Sequence, residues 1–265
     1  GGHTFKVIRS FVDGLEQDEL ADINALVKLE ILEGVRDRSD VVGIVEARNT
    51  STQVKEQSIE ELKETFVAIK EVLKDKSYAD RIAYKEHELL EDGSKKDIDI
   101  KEILSYLICF DTESFDKGKH PIKAYSTKAV LVEYFSSRKN EMAKYVKLLP
   151  EILELRDEIY LGLPDAYNKS ANDEVGGKFG KLTGVTDTAS KKRMGDVTLE
   201  FTGKKSHYRI PSGFIYPVLA SFRNLVGLRD GRCIWKANPI KFFDELKFDL
   251  AKRVGGQAKV IRNPN

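Results

Sequence analysis

The stretch DVVGIVEARNTSTQVKEQSIEELKETF, residues 40–66, contains two amphipathic helical patterns separated by a polar joint at residues 48–53. Apolar residues recur every three or four positions on both sides of the joint, which predicts two helices with one buried face each. Ser58 and Glu61 match a capping box at the start of the second helix. The side chains of the joint therefore either cap these helices or bind a ligand.

The segments around this stretch predict a small α/β element followed by a helical region. Upstream, ALVKLEIL at residues 25–32 alternates apolar and polar side chains, which is typical of a strand with one exposed face. Downstream, IKEILSYLICF at residues 100–110 has the composition of a buried helix. We therefore expect an α+β fold that is mostly helical, with a short β-hairpin in its second half.

The second half of the chain alternates between clear and weak patterns. A long helix is predicted over residues 139–160, and residues 161–190 are typical of a long loop or a mobile insertion. VTLEF at residues 197–201 and HYRI at residues 207–210 predict the two strands of the hairpin.

Two further helices are expected near the C-terminus. Pro217 suits the first turn of one helix, which Gly227 would close. Asn238 begins the other, which a pair of glycines at 255–256 would end.

Composition limits the function classes. The 265 residues carry 44 Lys and Arg against 43 Asp and Glu, so only a local basic patch could indicate nucleic-acid binding. Apolar runs fall short of the roughly 20 residues that cross a bilayer, so we expect no membrane segment and a cytoplasmic protein. Cys109 and Cys233 have no metal-ligand spacing. No metal site and no complete catalytic set is apparent, which leaves enzymatic activity open.

The opening residues are the first candidate site. Gly1 and Gly2 let backbone approach a ligand closely, and the amides at the start of a helix favour anions such as phosphate. His3 would add a donor or a general acid–base group. The alternative is that Thr4 simply caps the helix.

The polar joint is the second candidate. Arg48, Asn49, Thr50 and Gln53 supply guanidinium, amide and hydroxyl groups that can contact a nucleotide or a phosphate backbone. The alternative is a helix C-cap at Asn49 followed by an ordinary loop, and capping is the commoner use of such residues.

A basic set around the predicted hairpin is the third candidate. Interleaved cations beside an aromatic residue, here Tyr208, could follow a nucleic-acid backbone. A solvated surface is the alternative, because acidic residues are as plentiful in the chain overall. The set comprises Lys191, Lys192, Arg193, Lys204, Lys205 and Arg209.

Five motifs together resemble the abortive-infection phage-resistance (AIPR) family of bacterial defence proteins. They are GGHTFKVI, VKLEILEGV, VEARNTSTQVKEQSIEELKETF, YADRIAYKEHE and RIPSGFIYPVLASFRNLV, spread over residues 1–227. The resemblance implies two domains: an N-terminal element at 1–76 and a mainly helical AIPR region at 77–265, with a flexible segment near 161–190.

The N-terminal element is also similar, more distantly, to the ParB/sulfiredoxin-like, DGQHR-type arrangement. That likeness implies that Gly1, Gly2 and His3 lie on the phosphate side of a nucleotide pocket, and that Arg48, Asn49 and Gln53 close it. We expect the element to be incomplete at its N-terminus. Thr4 stands where the pattern has an arginine, so a bidentate phosphate clamp is absent.

The resemblance implies an antiviral defence protein that acts in abortive infection and binds a nucleotide or nucleic acid. The alternative is a non-enzymatic helical interaction module that senses a phage or host protein. The near-neutral charge of +1 and the absence of a complete catalytic set favour the alternative.

Overall fold

The chain forms two compact units, residues 1–56 and residues 57–265. In the first unit residues 9–12 are helical. The computed structural model describes residues 9–14, 66–84, 88–90, 92–115, 119–126, 130–170, 178–189 and 195–260. The predicted ParB/sulfiredoxin-like element lies almost wholly outside these ranges and stays a prediction.

The second unit is mostly helical in the part that is described. Its helices are α1 (Val67–Leu73), α2 (Ile100–Ile108), α3 (Lys123–Ser126), α4 (Leu131–Ser137), α5 (Lys139–Val146), α6 (Leu149–Ser170), α7 (Ser212–Ser221) and α8 (Pro239–Val260). Short 3₁₀ helices lie at Ala79–Arg81, Phe179–Lys181 and Phe222–Leu225.

The strands of this unit are short and pair two by two. Strand β1 (Ile82–Ala83) pairs in parallel with β2 (Ile98–Asp99). The antiparallel pairs are β3 (Thr186–Asp187) with β6 (Tyr208–Arg209), β4 (Val197–Thr198) with β5 (Lys205–Ser206), and β7 (Val226–Arg229) with β8 (Arg232–Trp235). The described residues are mostly helical with a few short strands, which confirms the predicted α+β class. The predicted hairpin is correct only in its first strand: β4 pairs with β5, whereas Tyr208–Arg209, expected as the second strand, pairs with β3.

Helix α2 lies in the hydrophobic core, as its sequence predicts. Ile103, Leu104 and Leu107 are fully buried. Burying side chains of this size contributes about 1.5–3 kcal/mol each relative to leaving them exposed. The helix begins after Asp99, whose carboxylate accepts a hydrogen bond from the backbone N–H of Lys101 at 2.8 Å.

Helices α6 and α8 approach closely because each has a glycine facing an aromatic ring of the other. A Cβ at Gly162 of α6 would lie 2.7 Å from the ring of Phe243, and a Cβ at Gly255 of α8 would lie 2.1 Å from the ring of Tyr167. Both rings are almost fully buried. The glycines thus leave the space into which the facing rings pack.

Several predicted helix boundaries are wrong. The helix predicted over 139–160 is divided into α5 and α6, and Pro150 lies in the first turn of α6. Residues 161–170, expected to form a loop, continue α6 through Pro164. Pro164 lacks an N–H, so one helical hydrogen bond is missing there, and packing of the helix compensates.

The two C-terminal helices also differ from their predicted extents. Helix α7 begins at Ser212, so Pro217 lies inside it rather than in its first turn. Helix α8 starts where predicted, with the Asn238 side chain accepting the N–H of Lys241 at 3.0 Å, but it continues beyond Gly255 and Gly256.

Hairpin β7–β8 was not anticipated from the sequence. Its turn places Asp230 at φ 50° and Gly231 at φ 72°. Positive φ at both central residues is the requirement of a type I′ turn, and Asp-Gly is a preferred dipeptide for it.

Among the described helices, none combines the length and the apolar character needed to cross a membrane.

Candidate functional site

The structure describes only part of the predicted site residues. Those that lie outside the described ranges are Gly1, Gly2, His3, Arg48, Asn49, Thr50, Gln53, Lys191, Lys192 and Arg193. The nucleotide pocket inferred from the first seven therefore stays a prediction. Lys204, Lys205 and Arg209 are described, and they lie on the segment that contains β5 and β6.

The even-numbered side chains of this segment contact the rest of the protein, although Lys204 is exposed. The amine of Lys204 bonds to Glu158 of α6, and this hydrogen bond raises the pKa of the amine. Ser206 is buried, and the ring of Tyr208 packs 5.7 Å from that of Phe179. Lys204 is thus already paired within the protein.

The odd-numbered side chains, Lys205, His207 and Arg209, are exposed. A bend at His207 separates β5 from β6, and the alternation of buried and exposed side chains continues through it. The imidazole Nδ1 of His207 lies 2.8 Å from Oδ1 of Asp196. This contact orients the ring and involves Nδ1 only, so Nε2 does not contact Asp196.

Asp157 of α6 fixes the turn that joins β4 to β5. Its carboxylate is fully buried and accepts hydrogen bonds from the backbone N–H groups of Phe201 and Thr202 at 3.0 and 2.8 Å. The hydroxyl of Thr202 donates a third bond at 3.0 Å. A charged acceptor with several donors can be buried without a large penalty.

Arg156 neutralises this buried carboxylate. Its guanidinium donates to Asp157 at 2.7 Å and to the hydroxyl of Tyr106 at 3.1 Å. The rings of Tyr106, Tyr160 and Phe201 lie 5.4–5.7 Å from the guanidinium carbon. A desolvated cation beside several aromatic faces gains cation–π stabilisation of roughly 1–2 kcal/mol.

Glu200 completes the network less favourably. Its Oε2 lies 3.4 Å from Arg156 and is buried with no hydrogen-bond partner in the described part of the chain. Burial raises the pKa of the Glu200 carboxyl above its ordinary value, and the charge of Arg156 offsets this only in part. The backbone carbonyl of Glu200 accepts a bond from Arg81, which also pairs with Asp97.

Tyr160 and Asn168 of α6 position β6 and the chain before β3. The hydroxyl of Tyr160 donates to the carbonyl of Tyr208 and accepts from the N–H of Ile210, both at 2.9 Å. The Asn168 amide accepts from the N–H of Phe179 at 2.7 Å. One helix therefore fixes the whole segment through side-chain bonds to its backbone.

An open surface depression of about 330 Å³ lies where this segment meets α6. Its walls combine apolar side chains with the polar groups of Tyr160 and Arg209, and Arg209 supplies its charge. Gly184, at φ 82°, contributes backbone without a side chain. The lining consists of Tyr160, Gly184, Val197, Arg209, Ile210 and Pro211.

A second buried polar cluster has a structural role. The fully buried Asp111 accepts the N–H groups of Glu113 and Ser114, both at 3.1 Å, and the hydroxyl of Tyr134 at 2.7 Å. These bonds fix the turn after α2. Arg138 lies 3.4 Å from the same carboxylate and balances its charge.

Metal and thiol chemistry find no support in the described ranges. They contain no group of three or more His, Cys, Asp or Glu side chains that could bind a metal ion. Cys109 and Cys233 are free and buried, and burial raises the pKa of both thiols, which disfavours the reactive thiolate.

Sequence reasoning missed the residues that build this region. Asp157, Tyr160 and Asn168 share one face of α6, and their spacing of three and eight residues is a helical signal. The adjacent Arg156 and Asp157 are a further signal, because charges inside an apolar helix require partners. His207 was overlooked although it alternates with Lys205 and Arg209.

Comparison with known proteins identifies a family. A family model described as AIPR protein matches residues 1–262. No curated protein matches the chain, and no solved structure matches it. The family name refers to abortive infection, a form of antiviral defence. Since the match covers almost the entire sequence, the chain belongs to the AIPR family.

Proposed function

We propose that this protein acts in bacterial antiviral defence by abortive infection, and that it does so by binding a nucleotide or nucleic acid. Family membership supports the defence role. The observation that carries the ligand class is the row of exposed cationic and imidazole side chains at Lys205, His207 and Arg209. A polyanion is the ligand that such a row suits best.

The pairing of neighbouring charges supports this proposal. Lys204 forms an ion pair with Glu158, whereas Lys205 and Arg209 make no ion pair within the described ranges. Their charges are therefore available to an anionic ligand. Contacts of this kind position a nucleic-acid backbone and carry no sequence information, so we expect binding with little sequence preference.

The resemblance of the first residues adds a second ligand site to the proposal. Gly1, Gly2 and His3 would contact a nucleotide phosphate, with Asn49 and its neighbours on the other side of the pocket. This site and the basic row have separate roles in the proposal: the first binds a mononucleotide, and the second binds the backbone of a polymer.

Equilibrium titration tests the proposal. The full chain is titrated with nucleotides and with short DNA and RNA strands and duplexes, between roughly 50 and 200 mM salt. We expect polymer binding that weakens steeply as salt increases, because each neutralised phosphate releases counterions. No binding to any of these ligands would remove the ligand part of the proposal.

Variants separate the two sites and the alternative function. His3→Ala with Asn49→Ala should abolish nucleotide binding, and Lys205→Ala with Arg209→Ala should weaken polymer binding. Phage protection is then measured in cells that produce each folded variant. Protection that persists in both double variants would indicate the interaction module that senses a phage or host protein.

A further inference from the structure

We propose that Lys205, His207 and Arg209 form a track for successive phosphates of a single-stranded nucleic acid, with one unstacked base in the depression beside Arg209. This inference rests on the proposed nucleic-acid ligand and names its form: a single strand rather than a duplex. The three side chains are hereafter called the phosphate track.

The first argument for this proposal is the spacing of the side chains in the phosphate track. Alternate residues of an extended chain are roughly 6–7 Å apart. Successive phosphates of an extended single strand are separated by a comparable distance, so each side chain of the track meets one phosphate. The even-numbered neighbours contribute less, because Lys204 is paired with Glu158 and Ser206 is buried.

The second argument is that the depression beside Arg209 can accept one unpaired base. Its volume of about 330 Å³ is at the small end of ligand sites, and its walls at Val197, Ile210 and Pro211 are apolar. A base can enter only when it is unpaired and unstacked, as in a single strand. Arg209 lines the depression and belongs to the track, so it can contact a phosphate or stack on the base.

The site is ordered before any ligand arrives. The Tyr160 hydroxyl bonds to backbone groups of Tyr208 and Ile210, the residues on either side of Arg209. Asp196 orients the imidazole of His207. A ligand that binds to fixed groups loses less affinity to the ordering of side chains.

Fluorescence anisotropy with short labelled oligonucleotides tests the proposal. The probes are a thymidine strand, the same strand in a duplex, and a strand in which abasic sites replace the bases. We expect tightest binding to the thymidine strand, and binding to the abasic strand that is weaker by about tenfold or more, because each stacked base contributes to affinity. Equal affinity for the thymidine and abasic strands would overturn the base site.

Single substitutions test the phosphate track. Lys205→Ala and Arg209→Ala should each reduce the slope of log affinity against log salt by about one, since each removes one phosphate contact. Lys204→Ala is the matched control: it removes the same charge one residue away, from a side chain that is already paired with Glu158, and should leave the slope unchanged. Circular dichroism confirms that each variant is folded.

The outcomes separate this inference from the proposed function. Equal affinity for duplex and single strand, or unchanged slopes in Lys205→Ala and Arg209→Ala, would overturn the phosphate track and leave nucleic-acid binding elsewhere in the chain intact. If the unaltered protein binds none of the three probes, the nucleic-acid part of the proposed function and the track both fail.

Discussion

The two sides of the segment that runs from β4 to β6 carry similar charged residues that differ in burial. On the inner side, Asp157 is fully buried and bonds to Arg156 and to backbone, and the partly buried Glu200 pairs with Arg156. On the outer side, Lys205 and Arg209 are exposed. Burial therefore decides whether a charge fixes the fold or remains available to a ligand.

Electrostatics explains why the two sides differ so much in energy. Ions that are removed from water need their partners, so deletion of one member leaves the other uncompensated, at a cost of about 3–5 kcal/mol. An exposed pair in water contributes only about 0–1 kcal/mol. Truncating a charged side chain of the inner network should therefore destabilise the fold strongly. Truncating one on the outer side should have little effect on stability.

The largest effect is expected at Asp157. Asp157→Ala should lower the free energy of unfolding by about 3–5 kcal/mol, because Arg156 and two backbone N–H groups lose their acceptor. Glu158→Ala, one residue away and paired with the exposed Lys204, should lower it by about 1 kcal/mol at most. Urea unfolding followed by circular dichroism measures both.

Equal losses of unfolding free energy in Asp157→Ala and Glu158→Ala would contradict the predicted difference between a buried and an exposed pair. Should Asp157→Ala fail to fold, Thr202→Val gives a milder test of the same site. It removes the hydroxyl bond to Asp157 and the long bond that this hydroxyl accepts from the N–H of Lys204 at 3.4 Å, which should together cost about 1 kcal/mol.

Adjacent glycines in α8 extend the comparison to packing. Gly255→Ala places a methyl group 2.1 Å from the buried ring of Tyr167, and overpacking of this kind costs about 1–3 kcal/mol. Gly256→Ala meets no atom within 4 Å and should stabilise the helix by about 0.5–1 kcal/mol. Opposite signs in thermal unfolding are expected; two stabilising substitutions would show that Tyr167 can move aside.

The smallest effect concerns pH. Because burial raises the pKa of Glu200, the stability linked to this group is complete below the ordinary glutamate pKa and decreases as pH rises through the raised value. Glu200→Gln should therefore gain stability relative to the unaltered protein as pH rises above the ordinary glutamate pKa.

Asp97 should show the opposite dependence of stability on pH. Its hydrogen bond with Arg81 lowers its pKa, so its contribution is present above the ordinary aspartate pKa and is lost as pH falls. Asp97→Asn should therefore lose stability relative to the unaltered protein as pH rises. Urea titrations at several pH values distinguish the two directions, and parallel curves for both variants would contradict the assignment.

The sequence predicts elements well where burial follows periodicity. Helix α2 is correct because most of its side chains enter the core and most of them are apolar. The end of α6 is missed because the side chains that face the β4–β6 segment, such as Asn168, are polar and bond to backbone. Periodicity records apolar burial and not hydrogen bonding, so a polar contact face resembles a loop.

The candidate site could be predicted in part. Lys205 and Arg209 follow from composition, but the pairing of Lys204 depends on Glu158, which is 46 residues away. The depression depends on contacts between α6 and residues 184–211, which no local pattern contains. Hairpin β7–β8 is different, because the dipeptide Asp230-Gly231 is a local sequence signal that is sufficient to predict its turn. The residues at 1–3 and 48–53 stay a prediction.

The bonds of Asp157 also bear on how the chain folds. They join residues 44 and 45 positions apart, so the intervening chain must close a long loop before they can form. We expect the β4–β5 turn to become ordered late, after α6 has packed on α2 and α8. Substitution of Thr202 should then accelerate unfolding more than it slows refolding, because the rate-limiting barrier precedes its contacts.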